Sequence, residues 1–194
     1  IEHIYEVAGT PLHGVRNILS AQDGSIWMAT DLGTIKFNKG SSIRFTNRDG
    51  LSNNTIFCLA SDTKGRIWMG TSNGLTIYDR GHFETIDLGH DFGSNYIDLL
   101  QKDNQGDFWA GTNNGIFHFD PDSLLVDSTS AEHITEQDGL RGLESNLNSG
   151  FLDASGKLFF GTSAGLVVHD PQRSRAHADR PPPATYITAV RSFM

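Results

Sequence analysis

The heptapeptide Gly65-Arg66-Ile67-Trp68-Met69-Gly70-Thr71 decides the fold, because related segments occur before and after it. Gly24-Ser25-Ile26-Trp27-Met28-Ala29-Thr30 precedes it, and Gly106-Asp107-Phe108-Trp109-Ala110-Gly111-Thr112 follows it. A weaker fourth copy is Gly156-Lys157-Leu158-Phe159-Phe160-Gly161-Thr162. The three tryptophans recur at a constant interval of 41 residues, and a period of this length marks a repeat architecture.

Each repeat unit contains four short apolar segments separated by turns. In the second unit these segments are Thr55–Ser61, Arg66–Thr71, Leu75–Asp79 and His82–Ile86. Their length and the glycines between them favour antiparallel strands, and no segment shows a sustained helical period. Four short strands in a unit of roughly 40 residues are typical of a propeller blade. The sequence therefore predicts an all-β fold, a β-propeller of four blades with four antiparallel strands each.

The aromatic position of the repeat, occupied by Trp27, Trp68, Trp109 and Phe159, has a predicted structural role. A large flat side chain between adjacent sheets buries much apolar area. In three copies an aspartate stands six residues before the aromatic residue and begins a turn that ends in glycine. These aspartates are Asp62, Asp103 and Asp153.

The ends of the repeat array leave open how the propeller closes. The chain begins with a segment that resembles a fourth strand, His3–Val7, whereas the last blade ends at Val167–Asp170 without an outer strand. Three arrangements are open. The ring is closed by a strand of the same chain, either Ile1–Val7 or Thr185–Val190. Otherwise a second chain closes it, or the four blades form part of a larger propeller. A surplus of nine residues around Asp122–Glu144 predicts a longer surface loop.

The domain organisation follows from a change in composition. Residues 1–170 form the predicted propeller segment, and residues 171–183 form a proline-rich linker that contains Pro181-Pro182-Pro183. Residues 184–194 alternate like a strand, so they begin a following β domain or supply a closing strand. Because the chain starts with Ile1 instead of methionine, we expect a piece of a longer protein.

Composition excludes several classes of partner and site. Fifteen basic against 23 acidic residues give a net charge of −8, which disfavours nucleic acid and anionic membrane surfaces. The only cysteine, Cys58, excludes an internal disulfide and a cysteine-rich zinc site. No apolar run is long enough to span a bilayer.

Weak candidates for ligand binding are the asparagines in the loops that lead into the first strands: Asn53, Asn54, Asn95 and Asn146. Such loops line one face of a propeller near its axis, where an amide can hydrogen-bond a polar ligand such as a sugar. The alternative is ordinary turn chemistry. The turn from Asp103 to Asp107 has oxygen side chains but lacks the remaining ligands of a calcium loop. We expect no metal, no cofactor and no catalytic residue.

The pattern Asp-x-x-Gly-x-(Ile/Leu/Phe)-Trp-x-Gly-Thr-x-x-Gly-(Leu/Ile) resembles the two-component regulator propeller repeat. So does Asp49-Gly50-Leu51-Ser52-Asn53-Asn54 ahead of the second full unit. The last unit, from Gly139-Leu140 to Asp170-Pro171, resembles the final blade of that family. Pro181-Pro182-Pro183 followed by Tyr186-Ile187-Thr188 resembles the start of the family's triple-tyrosine, immunoglobulin-like domain.

This resemblance implies a non-catalytic sensor segment from a bacterial receptor whose output is a histidine kinase or a diguanylate cyclase. It implies a periplasmic or other extracytoplasmic location and a glycan-derived or other small ligand. Partners would be a second copy of the chain or the missing blades of the parent protein. Two alternatives stay open, a protein-interaction scaffold and a propeller enzyme that acts on polysaccharide.

Overall fold

The computed structural model describes residues 2–86 and 96–171, and its secondary structure is almost entirely short antiparallel strands. A small hairpin of β1 (Glu6–Val7) and β2 (Thr10–Pro11) precedes four separate sheets. Each sheet is a meander in which strands adjacent in sequence are hydrogen-bonded neighbours. The four sheets are arranged as the blades of a β-propeller, so the predicted fold is confirmed.

The first two blades have four strands each. The first contains β3 (Asn17–Ser20), β4 (Ile26–Thr30), β5 (Gly33–Asn38) and β6 (Ser41–Phe45). The second contains β7 (Ile56–Ser61), β8 (Ile67–Thr71), β9 (Gly74–Asp79) and β10 (His82–Ile86). A 3-10 turn, Asn47–Asp49, connects the two blades.

The last two blades differ in their number of strands. The third contains β11 (Ile97–Lys102), β12 (Phe108–Thr112), β13 (Gly115–Phe119) and β14 (Glu132–Ile134). The fourth has three strands within the described residues: β15 (Ser145–Leu152), β16 (Leu158–Thr162) and β17 (Gly165–His169). Residue 171 is the last one described, so the expectation that no outer strand directly follows Asp170 stays a prediction.

The amino-terminal segment does not complete the fourth blade, so one of the proposed closures is wrong for the residues described. Glu6 and Val7 pair with Thr10 and Pro11, and the hairpin lies against β6 of the first blade. The Ser42 hydroxyl donates to the carbonyl of Val7 at 2.7 Å. The other closing candidate, Thr185–Val190, lies outside the described residues, as do the predicted linker from residue 172 and the final segment.

The predicted surface loop around Asp122–Glu144 instead contains regular structure. A short helix, α1 (Pro121–Val126), follows β13, and β14 lies between the 3-10 turns Ser128–Ser130 and Glu136–Asp138. The Asp120 carboxylate caps the helix by accepting from the Ser123 amide at 2.8 Å. Leu124 is buried in the apolar cluster between the second and third blades, which fixes the helix to the propeller.

Three apolar clusters join the four blades, and each contains one tryptophan of the repeat. Each indole lies against the sheet that follows its own. On that following sheet the closest described ring partners are Tyr78 for Trp27 (4.8 Å between ring centroids), Phe108 for Trp68 (5.4 Å) and His169 for Trp109 (4.5 Å). The repeated tryptophan is thus the side chain that fills the space between blades.

The indole nitrogen links this packing to the turn of the same blade. Trp68 Nε1 donates to Asp62 Oδ2 at 2.9 Å, while Asp62 Oδ1 accepts from the backbone amides of Lys64 and Arg66. Trp109 and Asp103 repeat this arrangement at 3.0 Å. A buried polar group needs such a partner, so the aspartate serves the turn and the core together.

Gly70, two residues after Trp68, allows neighbouring strands to approach closely. A Cβ atom built on Gly70 would lie 2.3 Å from Cys58 Sγ and 2.6 Å from the carbonyl oxygen of Ile97. Real Cβ contacts are never this short, so a larger residue would force β8 away from β7 and β11. Cys58 itself is 1% exposed, as expected of a small core residue.

The fourth aromatic residue of the repeat has a different environment. Phe159 is half-buried and contacts Phe151 of its own blade at 6.2 Å between ring centroids. Its face of the sheet points away from the third blade, and no apolar cluster covers that face within the described residues.

Within the described residues, no helix is both long and apolar enough to cross a membrane.

Replacing Trp68 with alanine should lower the free energy of unfolding by about 3–5 kcal/mol, because it leaves a cavity between two blades. Trp68→Phe should cost less, since it keeps most of the ring and removes only the hydrogen bond to Asp62. Urea denaturation monitored by circular dichroism measures both variants. Val126→Ala, at a residue 89% exposed, is the control. A Trp68→Ala variant as stable as this control would contradict the packing described.

Candidate functional site

The innermost strands of the four blades, β3, β7, β11 and β15, lie against one another around a central cavity. The cavity has a volume of about 320 Å³ and opens to solvent. All four strands contribute to its wall, through side chains that include Asn17, Leu19, Leu59, Leu99, Gln101 and Asn148. A concave space shared by several blades is the ordinary place for a ligand in such a fold.

Asn148 ties three blades together at one end of this cavity. Its side-chain amide donates to the carbonyl of Arg16 at 3.1 Å and to the carbonyl of Phe57 at 3.0 Å. Its side-chain oxygen accepts from Asn17 Nδ2 at 3.1 Å. The backbone of Asn148 has φ of 51°, a left-handed conformation that asparagine tolerates better than most residues, and it lies within an irregular part of the β15 pairing.

Aromatic and basic side chains surround this junction. The rings of Phe57 and Tyr96 lie 4.4 Å apart between centroids, and the Arg16 guanidinium lies 5.4 Å from the centre of the Phe57 ring. An ion pair with Asp31 holds the Arg16 side chain. Tyr96 is 38% exposed, so part of this residue is accessible to solvent. We call Arg16, Phe57, Tyr96, Asp98 and Asn148 the axial mouth.

Asp98 is the buried charge of the axial mouth, with an exposed fraction of 5%. The Ser145 hydroxyl lies 2.5 Å from Asp98 Oδ1 and 3.0 Å from the carbonyl oxygen of Thr112. One hydroxyl hydrogen serves one acceptor at a time. A protonated Asp98 would resolve this competition, because it can donate to Ser145 while Ser145 donates to Thr112.

The electrostatics agree with that geometry. Burial, together with the nearby Glu144 carboxylate, raises the pKa of Asp98 to about 6 against the lowering effect of the Ser145 hydrogen bond. Burial and the carboxylates of Asp98 and Glu144 also raise the pKa of Tyr96, while Arg16 lowers it. Tyr96 is therefore influenced electrostatically by both carboxylates and by Arg16, and Asp98 is influenced by Glu144.

The asparagines predicted as ligand contacts are engaged with the backbone around them. Asn53 Oδ1 accepts from the Thr55 amide at 2.8 Å, and Asn54 Oδ1 accepts from the Asn47 amide at 2.7 Å. Asn146 Nδ2 lies 3.3 Å from the carbonyl oxygen of Thr162. Asn95 lies outside the described residues. These contacts give the three described asparagines turn-stabilising roles, and their part in ligand binding stays a prediction.

The residues of the axial mouth were missed because one repeat position carries a different residue type in each unit. Arg16, Phe57, Asp98 and Asn148 each stand 11 residues before the repeated aromatic residue, and the fold brings this position of all four blades together. A signal for Asn148 was available: the sequence Asn148-Ser149-Gly150 interrupts the apolar pattern expected of an inner strand. Such a break indicates a bulge or a functional position.

Comparison with protein families gives one match. The model described as "Two component regulator propeller" matches residues 50–73, from the segment before β7 through the turn after β8. The sequence interpretation of this repeat is therefore confirmed. The predicted triple-tyrosine domain is not tested by it. Among curated proteins, none matches this sequence.

Several solved structures share the fold. One is an extracellular domain assigned to a hybrid two component system, BT3049, from B. thetaiotaomicron, with a TM-score of 0.73 and 20% identity over 98% of this chain and 27% of that one. Another is the extracellular domain assigned to a one component system, BT4673, from the same organism, with a TM-score of 0.51 and 23% identity over 82% and 28%. The chain thus spans about a quarter of the length of these two proteins.

Virginiamycin B lyase from Staphylococcus aureus, an enzyme, also has this architecture, with a TM-score of 0.55 and 16% identity over 80% of this chain and 55% of that one. Identities this low establish a shared fold, and a fold of this kind hosts both binding proteins and enzymes.

Replacing Asp98 with asparagine should raise stability at pH 7.5 by up to about 3 kcal/mol and leave it nearly unchanged at pH 4. The folded protein holds the Asp98 proton up to about pH 6, whereas the unfolded chain releases it near pH 4. Wild-type stability from this residue therefore falls as the pH rises through that window. Asparagine removes the fall because it stays neutral, and its side-chain amide can donate to Ser145 as the protonated carboxyl does.

The measurement is urea denaturation of wild type and Asp98→Asn at several values of pH. Asp79→Asn, at a side chain 50% exposed, is the matched control and should change little. Equal effects of Asp98→Asn at both ends of the pH range would contradict a buried carboxyl of raised pKa.

Proposed function

We propose that this chain, which carries the two-component regulator propeller repeat, is a non-catalytic sensing segment that binds a polar small molecule at the axial mouth. The observation that carries the proposal is the junction itself. There an aromatic pair and a guanidinium lie beside the bridging amide of Asn148, which lines a solvent-accessible cavity.

The chemistry of the axial mouth favours a hydroxyl-rich ligand, such as one derived from a glycan. The exposed part of the Tyr96 ring offers an apolar surface for the C–H face of a sugar, and its hydroxyl offers a polar edge. Arg16 supplies several N–H donors for ligand oxygens. Sugars present this combination of an apolar face and a polar rim, whereas a purely apolar ligand would leave the polar groups unpaired.

The position of the axial mouth gives binding a route to a response. Arg16 belongs to the segment before β3, Phe57 to β7, Tyr96 to the segment before β11 and Asn148 to β15. A ligand that contacts several of them favours one arrangement of the blades over another, and this difference in affinity is what drives a conformational signal. The solved extracellular domains that share the fold support an extracytoplasmic location in a signalling receptor.

A catalytic role for Asp98, whose pKa is raised to about 6, is disfavoured by its burial. Asp98 is 5% exposed and held by Ser145, so a substrate oxygen at the cavity opening would not reach it. General acid catalysis needs direct hydrogen-bond contact with the reacting group. The axial mouth is therefore suited to binding without turnover.

Calorimetric titration of the chain with a panel of oligosaccharides tests this function. We expect at least one ligand to bind, with Tyr96→Ala and Arg16→Ala each weakening binding tenfold or more. Tyr5→Ala, at a tyrosine 76% exposed on the amino-terminal segment, is the control and should leave the affinity unchanged. Failure of every saccharide to bind would refute the ligand class, and release of new reducing ends would refute the non-catalytic role.

A second function, as a protein-interaction scaffold, is favoured by the uncovered face of the fourth blade. Phe151, Phe159 and Val168 are directly paired across β15, β16 and β17, so their side chains share one face. Phe151 is 63% exposed, Leu166 67% and Val168 48%. A contiguous apolar surface of this kind marks an interface.

We propose that a further blade of the same repeat covers this face. Phe159 occupies the repeat position of the three tryptophans, each of which packs against the blade that follows it. The larger size of the extracellular domains with this fold leaves room for such a blade. A second copy of the chain, seated on the same face, is the competing arrangement.

Phe159→Ala should therefore lower the free energy of unfolding of the 194-residue chain by about 1 kcal/mol or less. This cost is far below that at Trp68, because the Phe159 ring is only half-buried and removing it loses few contacts. In a chain extended by the next blade the same substitution should cost about 3 kcal/mol or more. Denaturation of both forms at two protein concentrations measures this. Equal costs in the two forms would refute a covering blade, and stability that rises with concentration would identify a second copy instead.

A further inference from the structure

The turn between the first two strands of the third blade differs from its counterparts in electric charge. In the first blade, Lys36 Nζ lies 2.9 Å from Asp23 Oδ2. In the second, the Arg66 guanidinium lies 2.5 Å from Asp62 Oδ2. Each of these turns thus has a permanently charged cation from its own blade.

The third blade has no lysine or arginine at either of these repeat positions. Asp107 stands where the second blade has Arg66, and His118 stands where the first blade has Lys36. Asp107 therefore adds a second carboxylate beside Asp103, and a histidine is the group that faces both. Like charges at this distance repel each other unless a cation lies between them.

The three side chains converge on one point. Within the described residues they form the one set of three metal-binding side chains whose ligand atoms all lie within 4.8 Å of one another. His118 Nε2 is 3.3 Å from Asp107 Oδ2 and 3.9 Å from Asp103 Oδ2. Ligands bound to one metal ion at about 2.1 Å in tetrahedral geometry are separated by roughly 3.4 Å.

Two contacts fix the orientation of the His118 ring. Its Nδ1 lies 3.5 Å from Glu132 Oε2, the residue directly opposite on β14. Its face stacks on Trp109 at 4.3 Å between ring centroids. A carboxylate at Nδ1 favours the tautomer that leaves the Nε2 lone pair available, which is how metal-binding histidines are held in proteins.

Hydrogen bonds to both carboxylate oxygens also fix the position of the Asp103 side chain. Its Oδ1 accepts from the backbone amides of Gln105, Gly106 and Asp107, and its Oδ2 accepts from Trp109 Nε1. A carboxylate oxygen has two lone pairs, so Oδ2 can still serve a cation. The Asp107 and His118 side chains are 29% and 27% exposed, which leaves solvent access for water ligands.

We propose that Asp103, Asp107 and His118 bind one divalent transition-metal ion, with water completing its coordination. An imidazole with two carboxylates suits Zn²⁺, Co²⁺ or Ni²⁺, whereas Ca²⁺ takes oxygen ligands alone. This metal site joins the turn before β12 to β13, next to the boundary with the fourth blade, and it is independent of ligand binding at the axial mouth.

The proposed metal site departs from the sequence-based expectation that the Asp103–Asp107 turn is an ordinary turn without metal, which stays a prediction. The turn hydrogen bonds of Asp103 are present, and no histidine stands at a local metal-binding spacing from the turn. His118 lies on the strand after next, and only the register of β12 and β13 places it over the turn.

Titration of the chain with Zn²⁺ alone, after removal of metals with a chelator, tests the proposal. We expect one ion per chain, and we expect Co²⁺ to bind in competition with it and to show a visible absorption spectrum. His118→Gln and Asp107→Asn should each weaken Zn²⁺ binding tenfold or more. Melting in the presence of chelator verifies that both variants fold.

Two matched control variants test whether Zn²⁺ binding is specific to this site. His82→Gln removes an exposed histidine from β10, and Asp153→Asn alters the corresponding turn of the fourth blade. Both should bind Zn²⁺ like the wild type. Substoichiometric binding, or binding that His118→Gln leaves unchanged, would show that His118 only forms ion pairs with the two aspartates and would overturn the proposal.

Discussion

The structure depends on the two-sided role of the tryptophan indole. The ring of Trp68 fills the space between its own blade and the next, while its N–H group is bonded to Asp62 in the turn of its own blade. The same aspartate accepts backbone hydrogen bonds that shape the turn. Turn geometry, strand pairing and contact between blades are therefore linked through two side chains. A sheet with an apolar side chain of this size on its face is incomplete until another sheet covers it.

Departures from the repeat also indicate where to look for function. A residue that differs from the repeat pattern is not explained by the structural role that its position has in the other blades. The first blade replaces the aspartate partner of the indole with Ser25, whose hydroxyl accepts from Trp27 at 3.0 Å, so this departure keeps the structural role. The fourth blade replaces the tryptophan with Phe159, and there the neighbouring sheet is missing from the described residues as well. Asn148 and His118 differ in kind, because each brings polar chemistry to a position where the repeat does not require it.

The fold was largely predictable from the sequence, because strand period, glycine turns and the aromatic interval all point to the same architecture. Where prediction failed, the cause was local. Ala8 and Gly9 have φ of 47° and 78°, so they form a two-residue hairpin turn. Such a turn is not predicted from an alanine, because alanine rarely adopts a positive φ. The helix α1 has six residues, too few to show a helical period, and its stability comes from the Asp120 cap and the burial of Leu124. The axial mouth was not found from the sequence, since the repeat position that holds Arg16, Phe57, Asp98 and Asn148 has a different residue type in each unit and shows no motif.

This convergence has a consequence for how a propeller segment responds to a ligand. Inside one blade the strands are fixed by backbone hydrogen bonds, so a small molecule has little power to move them. Between the blades, the Asn148 side-chain amide donates hydrogen bonds to the carbonyls of Arg16 and Phe57. These two hydrogen bonds are together weaker than the many backbone hydrogen bonds that join two strands. The ligand proposed for the axial mouth would act on the side chains next to these hydrogen bonds. The relative placement of the blades, more than the structure of any one blade, is therefore the quantity that binding at this site can change.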